Sequence, residues 1–376
     1  MYAGIMLHTL IWAAACMIVF LCYSRFRNTA SLSGGTITGC PGAKLPLLYM
    51  VLISVLFTLF NVYATTTSVS MGGDRSNYYA SFLGYLPAGS VGLNILFKIA
   101  HAIGMDYFGV LYFTTFFCTF VTLIAYRLSK DAKPFAFYLL CLTQYFLTTL
   151  TALKQAYTSA FAVLFFVLTI EYDTKTSRFF SLVLAVLACA FHSTGYVLII
   201  IVIAKRIVKT TKTLLLYFGV LLLVGLFFKD IILTAATLIE PFLPYVAGKI
   251  FVYIGDSAYA RSSGSPLAFI MGAPYYLITL LGLRKREMAK PVIKNYDDYL
   301  FVVGTGAFIY LLSMYNAWLS RFVYLFSFVS FVFFGELLKT FQLETNRKIY
   351  SLLVQGSLAL ITYRFLFMVY SLYGGF

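Results

Sequence analysis

The stretch YDTKTSRFFSLVLAVLACAFHSTGYVLIIIVIAKRIVK, residues 172–209, decides the fold class. Two apolar runs flank a single histidine, and basic residues lie at both ends of the stretch. Basic residues mark the cytoplasmic ends of membrane spans, so both ends should lie on the same side of a membrane. This predicts a helical hairpin that turns near His192, with Arg178 and Lys205 at its base. A re-entrant hairpin is the open alternative.

The same alternation of apolar runs and basic clusters extends over the whole chain. Of 376 residues, 61% are hydrophobic and 11% are charged, which excludes a soluble globular domain. The positive-inside rule accounts for most of the +15 formal charge, so no nucleic-acid partner is indicated. The basic clusters are Arg25/Arg27/Lys44, Arg127/Lys130/Lys133, Lys175/Arg178, Lys205/Arg206/Lys209/Lys212, Arg284/Lys285/Arg286/Lys290/Lys294 and Lys339/Arg347/Lys348.

The predicted fold is all-α: a polytopic membrane helical bundle of about 12 spans that forms a single domain over residues 1–376. An even number of spans with every basic cluster inside places both termini outside. Two outer loops, 65–106 and 230–265, are long enough to be structured, and the segment 91–103 should lie in the membrane interface. The predicted spans are 5–23, 45–64, 107–126, 134–150, 154–171, 178–191, 193–204, 213–229, 266–283, 298–315, 318–338 and 349–370.

A few charges fall at the outer ends of these spans, where an ionisable group is costly and is a functional candidate by default. Asp74 and Arg75 follow a Gly-Gly pair, and Tyr78 follows one helical turn later. The glycines let the backbone turn sharply and approach a ligand. An equally available interpretation is that Asp74 caps a short interfacial helix.

Lys154 and His192 are two further outer positions. Lys154 begins a span, with Gln155 and Tyr157 close behind, and offers a compact cation for a phosphate, although snorkelling to lipid phosphate explains it equally well. His192 has a titration range that suits proton transfer, and Ser193 and Thr194 are near enough to orient it. A lone histidine in a span is more often a structural hydrogen-bonding residue.

Arg321 lies three residues into a span, and among the single charges it is the one for which a purely structural role is the weakest explanation. Its fork fits phosphate or carboxylate oxygens, and it is costly to leave unpaired near lipid. Tyr324 follows it one turn later. In the second outer loop, Arg261 either clamps a ligand or pairs with Asp256. A few cations, an aspartate, a histidine and many tyrosines at one membrane face suit a substrate with an anionic group and sugar rings.

Five segments carry a resemblance to a known family. In chain order they are GGDRSNYYASF (72–82), GLNILFKIAHAIGMDYFGVLYF (92–113), LKQAYTSAFAVLFF (153–166), LACAFHSTGYVLI (187–199) and LSRFVYLF (319–326). Together they resemble the EpsG family of Wzy-type polysaccharide polymerases. The resemblance implies a GT-C-like glycosyltransferase in the bacterial cytoplasmic (inner) membrane, with its active site facing the outside or periplasm.

Such an enzyme joins undecaprenyl-diphosphate-linked repeat units of O-antigen, capsule or exopolysaccharide. The implied partners are a lipid-linked oligosaccharide donor and acceptor, membrane lipids and a chain-length regulator, and no cofactor is implied. The family's Asp, His and Arg fall on Asp74, His192 and Arg321. Where the family usually has Arg-Gln, this chain has Lys154-Gln155, which keeps the charge but loses the bidentate fork.

The diphosphate leaves already activated, so the reaction needs cations for the leaving group and a base for the acceptor hydroxyl. We assign Arg321 and Lys154 to the diphosphate and favour Asp74 over His192 as the base. No metal site is predicted, because the six cysteines lack paired spacing. The remaining predicted substrate contacts are Arg75, Tyr78, Gln155, Tyr157, Arg261 and Tyr324.

Two other functions make different demands on the sequence. A lipid-linked oligosaccharide flippase or transporter would place charges near the middle of the membrane and show pseudo-symmetric halves, and no internal repeat is present. A membrane-bound acyltransferase would need its histidine on the cytoplasmic side, whereas the predicted topology puts His192 outside.

Overall fold

The computed structural model describes residues 47–67, 74–129, 153–172, 174–208, 210–251, 266–312 and 322–342. Within these ranges the chain is all-helical, as predicted: 86% of the residues are in helices and none is in a strand. The chain divides into two compact units, residues 1–198 with 334–376, and residues 199–333. The predicted spans 5–23, 134–150 and 349–370 lie outside the described residues.

The helices of the first unit follow the predicted spans closely. They are α1 (Leu47–Thr67), α2 (Asp74–Phe82), α3 (Val91–Ala102), α4 (Tyr107–Leu128), α5 (Leu153–Glu171), α6 (Lys175–Phe191) and, after a 3₁₀ turn (Ser193–Gly195), the start of α7 (Tyr196–Ile207). The predicted break at His192 is confirmed. At 17 and 12 residues, α6 and α7 are each short for a full crossing. The pairing of the two as a hairpin stays a prediction.

Helices α4 and α5 are the two described helices that are long and apolar enough to cross a membrane. They run parallel, because Thr114 contacts Tyr157 near their starts and Ser129 contacts Glu171 at their ends. The predicted number of about 12 spans is not confirmed.

Helix α6 packs antiparallel against α5. The Thr169 hydroxyl donates to Ser181 at 3.2 Å, and the Thr158 hydroxyl donates to the Ala188 carbonyl at 3.2 Å. A later residue of α5 thus contacts an earlier residue of α6, and an earlier residue of α5 contacts a later one. The start of α6 therefore lies beside the end of α5. His192, at the end of α6, lies at the same end of the unit as the first turn of α5.

The end of the unit that holds the last turn of α5 is closed by short hydrogen bonds. The Ser129 hydroxyl donates to Glu171 Oε1 at 2.5 Å, and the Tyr172 hydroxyl donates to the Leu128 carbonyl at 2.6 Å. Ser177, in the first turn of α6, donates to the Tyr172 carbonyl at 2.6 Å. The ends of α4 and α5 and the start of α6 are thereby tied together.

These helix ends separate the charges of the first unit into two groups. Arg127 in the last turn of α4 and Lys175 and Arg178 in the first turn of α6 lie at one end, which we call the basic end. Lys154 and His192 lie at the other, which we call the site end. The length of α5 separates the two ends by about 27 Å, at about 1.5 Å per residue. The predicted grouping of basic clusters away from the single charges therefore holds for Arg127, Lys175 and Arg178 among the described residues of this unit.

The second unit contains the remaining described helices. They are α8 (Thr211–Leu226), α9 (Phe228–Ile239), α10 (Pro244–Ile250), α11 (Pro266–Arg284), α12 (Arg286–Ala289), α13 (Tyr296–Leu312) and α14 (Val323–Gln342), whose last part belongs to the first unit. Helices α8 and α9 meet at an angle of 70° and together could form one broken span or a re-entrant loop. The second predicted outer loop thus begins as a helix, with Asp230 in its first turn.

Close packing at glycines joins the helices of this unit. A Cβ on Gly304 of α13 would lie 2.2 Å from the Phe218 ring of α8, and a Cβ on Gly306 would lie 2.6 Å from Phe326 of α14. Such approaches are possible only where a side chain is absent. Near the start of α13, the carboxylate of Asp297 accepts hydrogen bonds from Arg286 at 2.9 and 3.1 Å and lies 2.8 Å from Lys290.

Candidate functional site

The site end of the first unit is covered by α2 and α3. Both helices pack on the first turns of α4 and α5 through one apolar cluster. Its buried members are Tyr78, Phe82, Leu93, Phe97, Ala100, Tyr107, Val110, Leu111 and Leu153. Because this cluster joins four helices, it fixes where α2 and the α2–α3 connection lie over the start of α5.

Two polar contacts fix α3 within this cover. Ser90 caps its first turn by accepting the Leu93 amide at 3.4 Å. His101 Nε2 lies 2.9 Å from the Phe82 carbonyl, and its ring stacks on Phe82 at 4.2 Å between centroids. His101 therefore joins the end of α3 to the end of α2, which is a structural role.

Lys154 lies half-buried in the first turn of α5, beneath the α2–α3 connection. Its Nζ is 5.5 Å from the centroid of the Tyr78 ring, which is a cation–π contact worth about 0.5–1 kcal/mol at an exposed site. Gly89 also lies close to the ammonium: a Cβ on Gly89 would lie 3.3 Å from Nζ. The backbone of Gly89 has φ +69°, which a residue with a side chain rarely adopts. Three segments distant in sequence thus meet at this cation.

A second polar group lies at the same end of the unit, where α6 ends. His192 Nδ1 accepts the backbone N–H of Thr194 at 3.1 Å and lies 3.0 Å from the Thr194 hydroxyl. That hydroxyl donates to Gln155 Oε1 at 3.4 Å. Gln155 and Thr194 are both buried, and His192 is half-buried. The residue next to Lys154 in sequence is therefore linked to the histidine through Thr194.

An aromatic platform lies beneath these groups. The rings of Tyr157 and Phe191 stack at 4.2 Å with an angle of 16° between their planes. The Tyr157 hydroxyl lies 3.1 Å from the Thr114 hydroxyl, which links the platform to α4. A Cβ on Gly92 of α3 would lie 2.7 Å from the Phe191 ring, so α3 presses directly on the platform. Since Tyr157 is 2% exposed, its direct contact with a substrate stays a prediction.

The structure brings together five of the residues predicted from sequence at this end of the unit: Tyr78, Lys154, Gln155, Tyr157 and His192. Asp74 begins α2, which confirms that a helix starts there. It lies four residues before Tyr78 in the same helix. Arg261 and Arg321 lie outside the described residues, as do the side chains of Asp74, Arg75 and Tyr324.

Two residues of the site were missed in the sequence. Gly89 lies in the segment PAGS, a turn pattern that gives no indication of a distant lysine. Phe191 precedes His192 in an apolar run and is indistinguishable there from a lipid-facing phenylalanine. Among the described residues, no group of three or more His, Cys, Asp or Glu side chains is arranged to hold a metal ion.

Comparison with known proteins gives one match. The family model described as the EpsG family matches residues 49–374 of the chain. Neither a curated protein nor a solved structure matches it. The matched range contains Lys154, His192 and each of the five segments that carry the sequence resemblance.

Proposed function

The chain belongs to the EpsG family of Wzy-like polysaccharide polymerases, and from this premise we propose that it joins undecaprenyl-diphosphate-linked oligosaccharide repeat units. The proposed site is the site end of the first unit, facing the outside or periplasm of the bacterial cytoplasmic membrane. The observation that carries this proposal is the gathering of Lys154, Tyr78 and the His192–Thr194–Gln155 chain at the end of the unit opposite Arg127, Lys175 and Arg178.

In the proposed reaction, a hydroxyl of the acceptor repeat unit attacks the anomeric carbon of the donor sugar. The bond between that carbon and the diphosphate oxygen breaks, and its electron pair leaves with the lipid diphosphate. The hydroxyl proton goes to a base, for which we propose Asp74. No cofactor takes part, because the diphosphate is already a competent leaving group.

Lys154 is proposed to stabilise the charge that grows on the diphosphate as it leaves. A preorganised cation in a partly dehydrated site is usually the largest contribution to such a reaction. Burial against the Tyr78 ring and the close approach of Gly89 restrict the ammonium to one region. This restriction replaces part of the orientation that the fork of an arginine would supply.

Further roles in the proposed site come from the sequence prediction. Arg321 shares the diphosphate role with Lys154, and Arg75 or Arg261 assists. Tyr78, Gln155, Tyr157 and Tyr324 are proposed to contact the substrate or to support the residues that do. A chain-length regulator is the proposed protein partner, and the donor, the acceptor and membrane lipids are the proposed molecular ones.

The proposal is tested in a strain that lacks the gene, complemented with wild type, Lys154→Ala or Lys98→Ala at matched membrane levels. Lys98 is an exposed cation on α3, in the same cover of the site end, and is the matched control. We expect a glycan ladder with wild type and Lys98→Ala, and a collapse to single repeat units with Lys154→Ala.

Two outcomes would contradict the proposal. A full ladder with Lys154→Ala would remove the site end from the chemistry. Repeat units that accumulate on the cytoplasmic side in the strain without the gene would identify the protein as a flippase.

A further inference from the structure

His192 caps the short turn between α6 and α7. Its Nδ1 accepts the backbone N–H of Thr194 at 3.1 Å, as the side chain at the start of a helical turn does. A backbone amide only donates, so the lone pair of Nδ1 is used in this bond. The neutral imidazole carries one proton, which therefore lies on Nε2.

The packing of the turn holds the Thr194 amide in this position. A Cβ on Gly195 would lie 2.5 Å from the backbone of Ala188 and Cys189, so the turn lies directly against the last turn of α6. The Gly195 amide donates to the His192 carbonyl at 2.9 Å, and Thr194 is fully buried. The cap is thus enforced by contacts on both sides of Thr194.

The hydroxyl of Thr194 anchors this residue, and with it the capping amide, to α5. It lies 3.0 Å from His192 Nδ1 and donates to Gln155 Oε1 at 3.4 Å. Gln155 follows Lys154 in the first turn of α5. Thr194 therefore links the imidazole to the helix that carries the proposed diphosphate cation.

We propose that His192 acts as a hydrogen-bond donor through Nε2 to a phosphate oxygen of the lipid diphosphate, and that Thr194 is the positioning residue that holds it in that form. This inference rests on the proposed function. Nε2 already carries its proton, and Nδ1 can accept one only by giving up the Thr194 amide. Since neither nitrogen can take the proton of a sugar hydroxyl while the turn is intact, the acceptor needs another base, and Asp74 is the one that we propose.

The first test is spectroscopic and needs no substrate. The full chain, labelled with ¹⁵N-histidine and held in detergent micelles, contains three histidines, and the His192→Gln variant identifies the signals of His192. At a pH where the ring is neutral, we expect a proton attached to Nε2 and an unprotonated Nδ1. A proton on Nδ1 would overturn the inference.

The second test compares two replacements of His192 in polymer synthesis. Purified full-length protein in lipid nanodiscs is supplied with lipid-linked repeat units extracted from the strain without the gene. Glutamine offers an N–H donor at the place of Nε2 but cannot act as a base. We expect His192→Gln to stay within about tenfold of wild type, and His192→Ala to lose roughly 100-fold or more, as on removal of one donor from an oxyanion site.

The outcome that contradicts donation is a His192→Gln variant that unfolds at the wild-type temperature and is as inactive as His192→Ala.

The positioning role of Thr194 is tested with two further variants. We expect Thr194→Val to lower the rate of polymer synthesis roughly threefold to tenfold, which is the usual range for one hydrogen bond, and Thr194→Ser to keep the wild-type rate. A wild-type rate with Thr194→Val would remove the hydroxyl from the positioning role. If wild type makes no polymer, the proposed function fails, while the tautomer measurement still stands.

Discussion

Gly89→Ala should impair polymer synthesis by displacing Lys154 rather than by unfolding the protein. At φ +69° an alanine at this position is strained by about 1–2 kcal/mol. Its Cβ would also lie 3.3 Å from Lys154 Nζ, closer than most such contacts, so the ammonium would have to move by a few tenths of an ångström. A displacement of about 1 Å can cost a catalytic group about 100-fold, so we expect a loss of about threefold to tenfold here.

Gly104→Ala provides the matched control. Gly104 has φ +71°, almost the same as Gly89, but a Cβ there would meet nothing within 4 Å. Both variants should therefore lose similar stability, while Gly89→Ala alone crowds the lysine. The thermal midpoint of the purified protein in detergent measures the first effect, and the initial rate of polymer synthesis from lipid-linked repeat units measures the second.

Comparing the thermal midpoints and rates of the two glycine variants tests whether Gly89 holds Lys154 in place. Equal midpoints with a lower rate for Gly89→Ala support a placed cation. Equal rates would refute it, because the contact between Gly89 and Lys154 would then have no bearing on the chemistry. A lower midpoint for Gly89→Ala than for Gly104→Ala would also count against it, since the tip of a lysine side chain should yield without large cost.

Three further predictions concern other parts of the chain. Asp74→Asn should lower the rate by about 100-fold or more at an unchanged thermal midpoint, as loss of a general base does, and near-normal synthesis would exclude Asp74 as the base. Gly92→Ala should destabilise the protein by about 1–3 kcal/mol in a denaturation measurement, because its Cβ would lie 2.7 Å from Phe191, whose ring is already stacked on Tyr157. Gly219→Ala is the control: a Cβ there would meet nothing within 4 Å, so this substitution should cost no stability. Asp297→Asn should lower the free energy of unfolding by about 1 kcal/mol near pH 7 and by progressively less below about pH 4. Glu287→Gln, in which the replaced side chain is 90% exposed, should leave it unchanged at any pH. Thermal midpoints measured across this pH range that fall equally for both variants would contradict the role of the Asp297 ion pairs.

The pH range of the Asp297 prediction follows from its neighbours. The residue lies just before the predicted span 298–315. Partial burial would raise the pKa of its carboxyl, but hydrogen bonds from Lys290 and Arg286, together with their charges, more than offset this and hold the pKa below its ordinary value. A carboxyl with a lowered pKa in the folded state stabilises the protein above its ordinary pKa of about 3.9 and loses that contribution as the pH falls through the lower value.

Helix positions were predictable because they depend on local apolar runs. Helices α4 and α5 begin within one residue of the predicted spans at 107 and 154, and the break at His192 follows from a polar HSTG segment between two apolar runs. The 70° bend between α8 and α9 was not predicted. Gly225, two residues before it, is the one local signal, since glycine weakens a helix interior.

The contacts of the site could not be read from the sequence, because they depend on how distant helices pack. Tyr78 and Lys154 meet only because the cluster around Phe82 and Leu93 holds α2 and α3 over the start of α5. The protonated nitrogen of His192 depends on one backbone amide, and no residue pattern specifies which of the two ring nitrogens faces it. Residue types indicated the participants, whereas tertiary packing decides their roles.

These roles follow from one another at the site end. Arg127, Lys175 and Arg178 lie at the opposite end of the first unit, so these three cations cannot serve as counter-charges for the diphosphate that we propose to bind near Lys154. At the site end, Lys154 is held in contact with the Tyr78 ring, and it is the described cation that we assign to the diphosphate. If the Thr194 amide keeps the His192 proton on Nε2, the histidine can help to hold the same diphosphate but cannot receive the acceptor proton. The acceptor proton then needs another base, and Asp74, which begins the helix that carries Tyr78, is the residue that we propose for it.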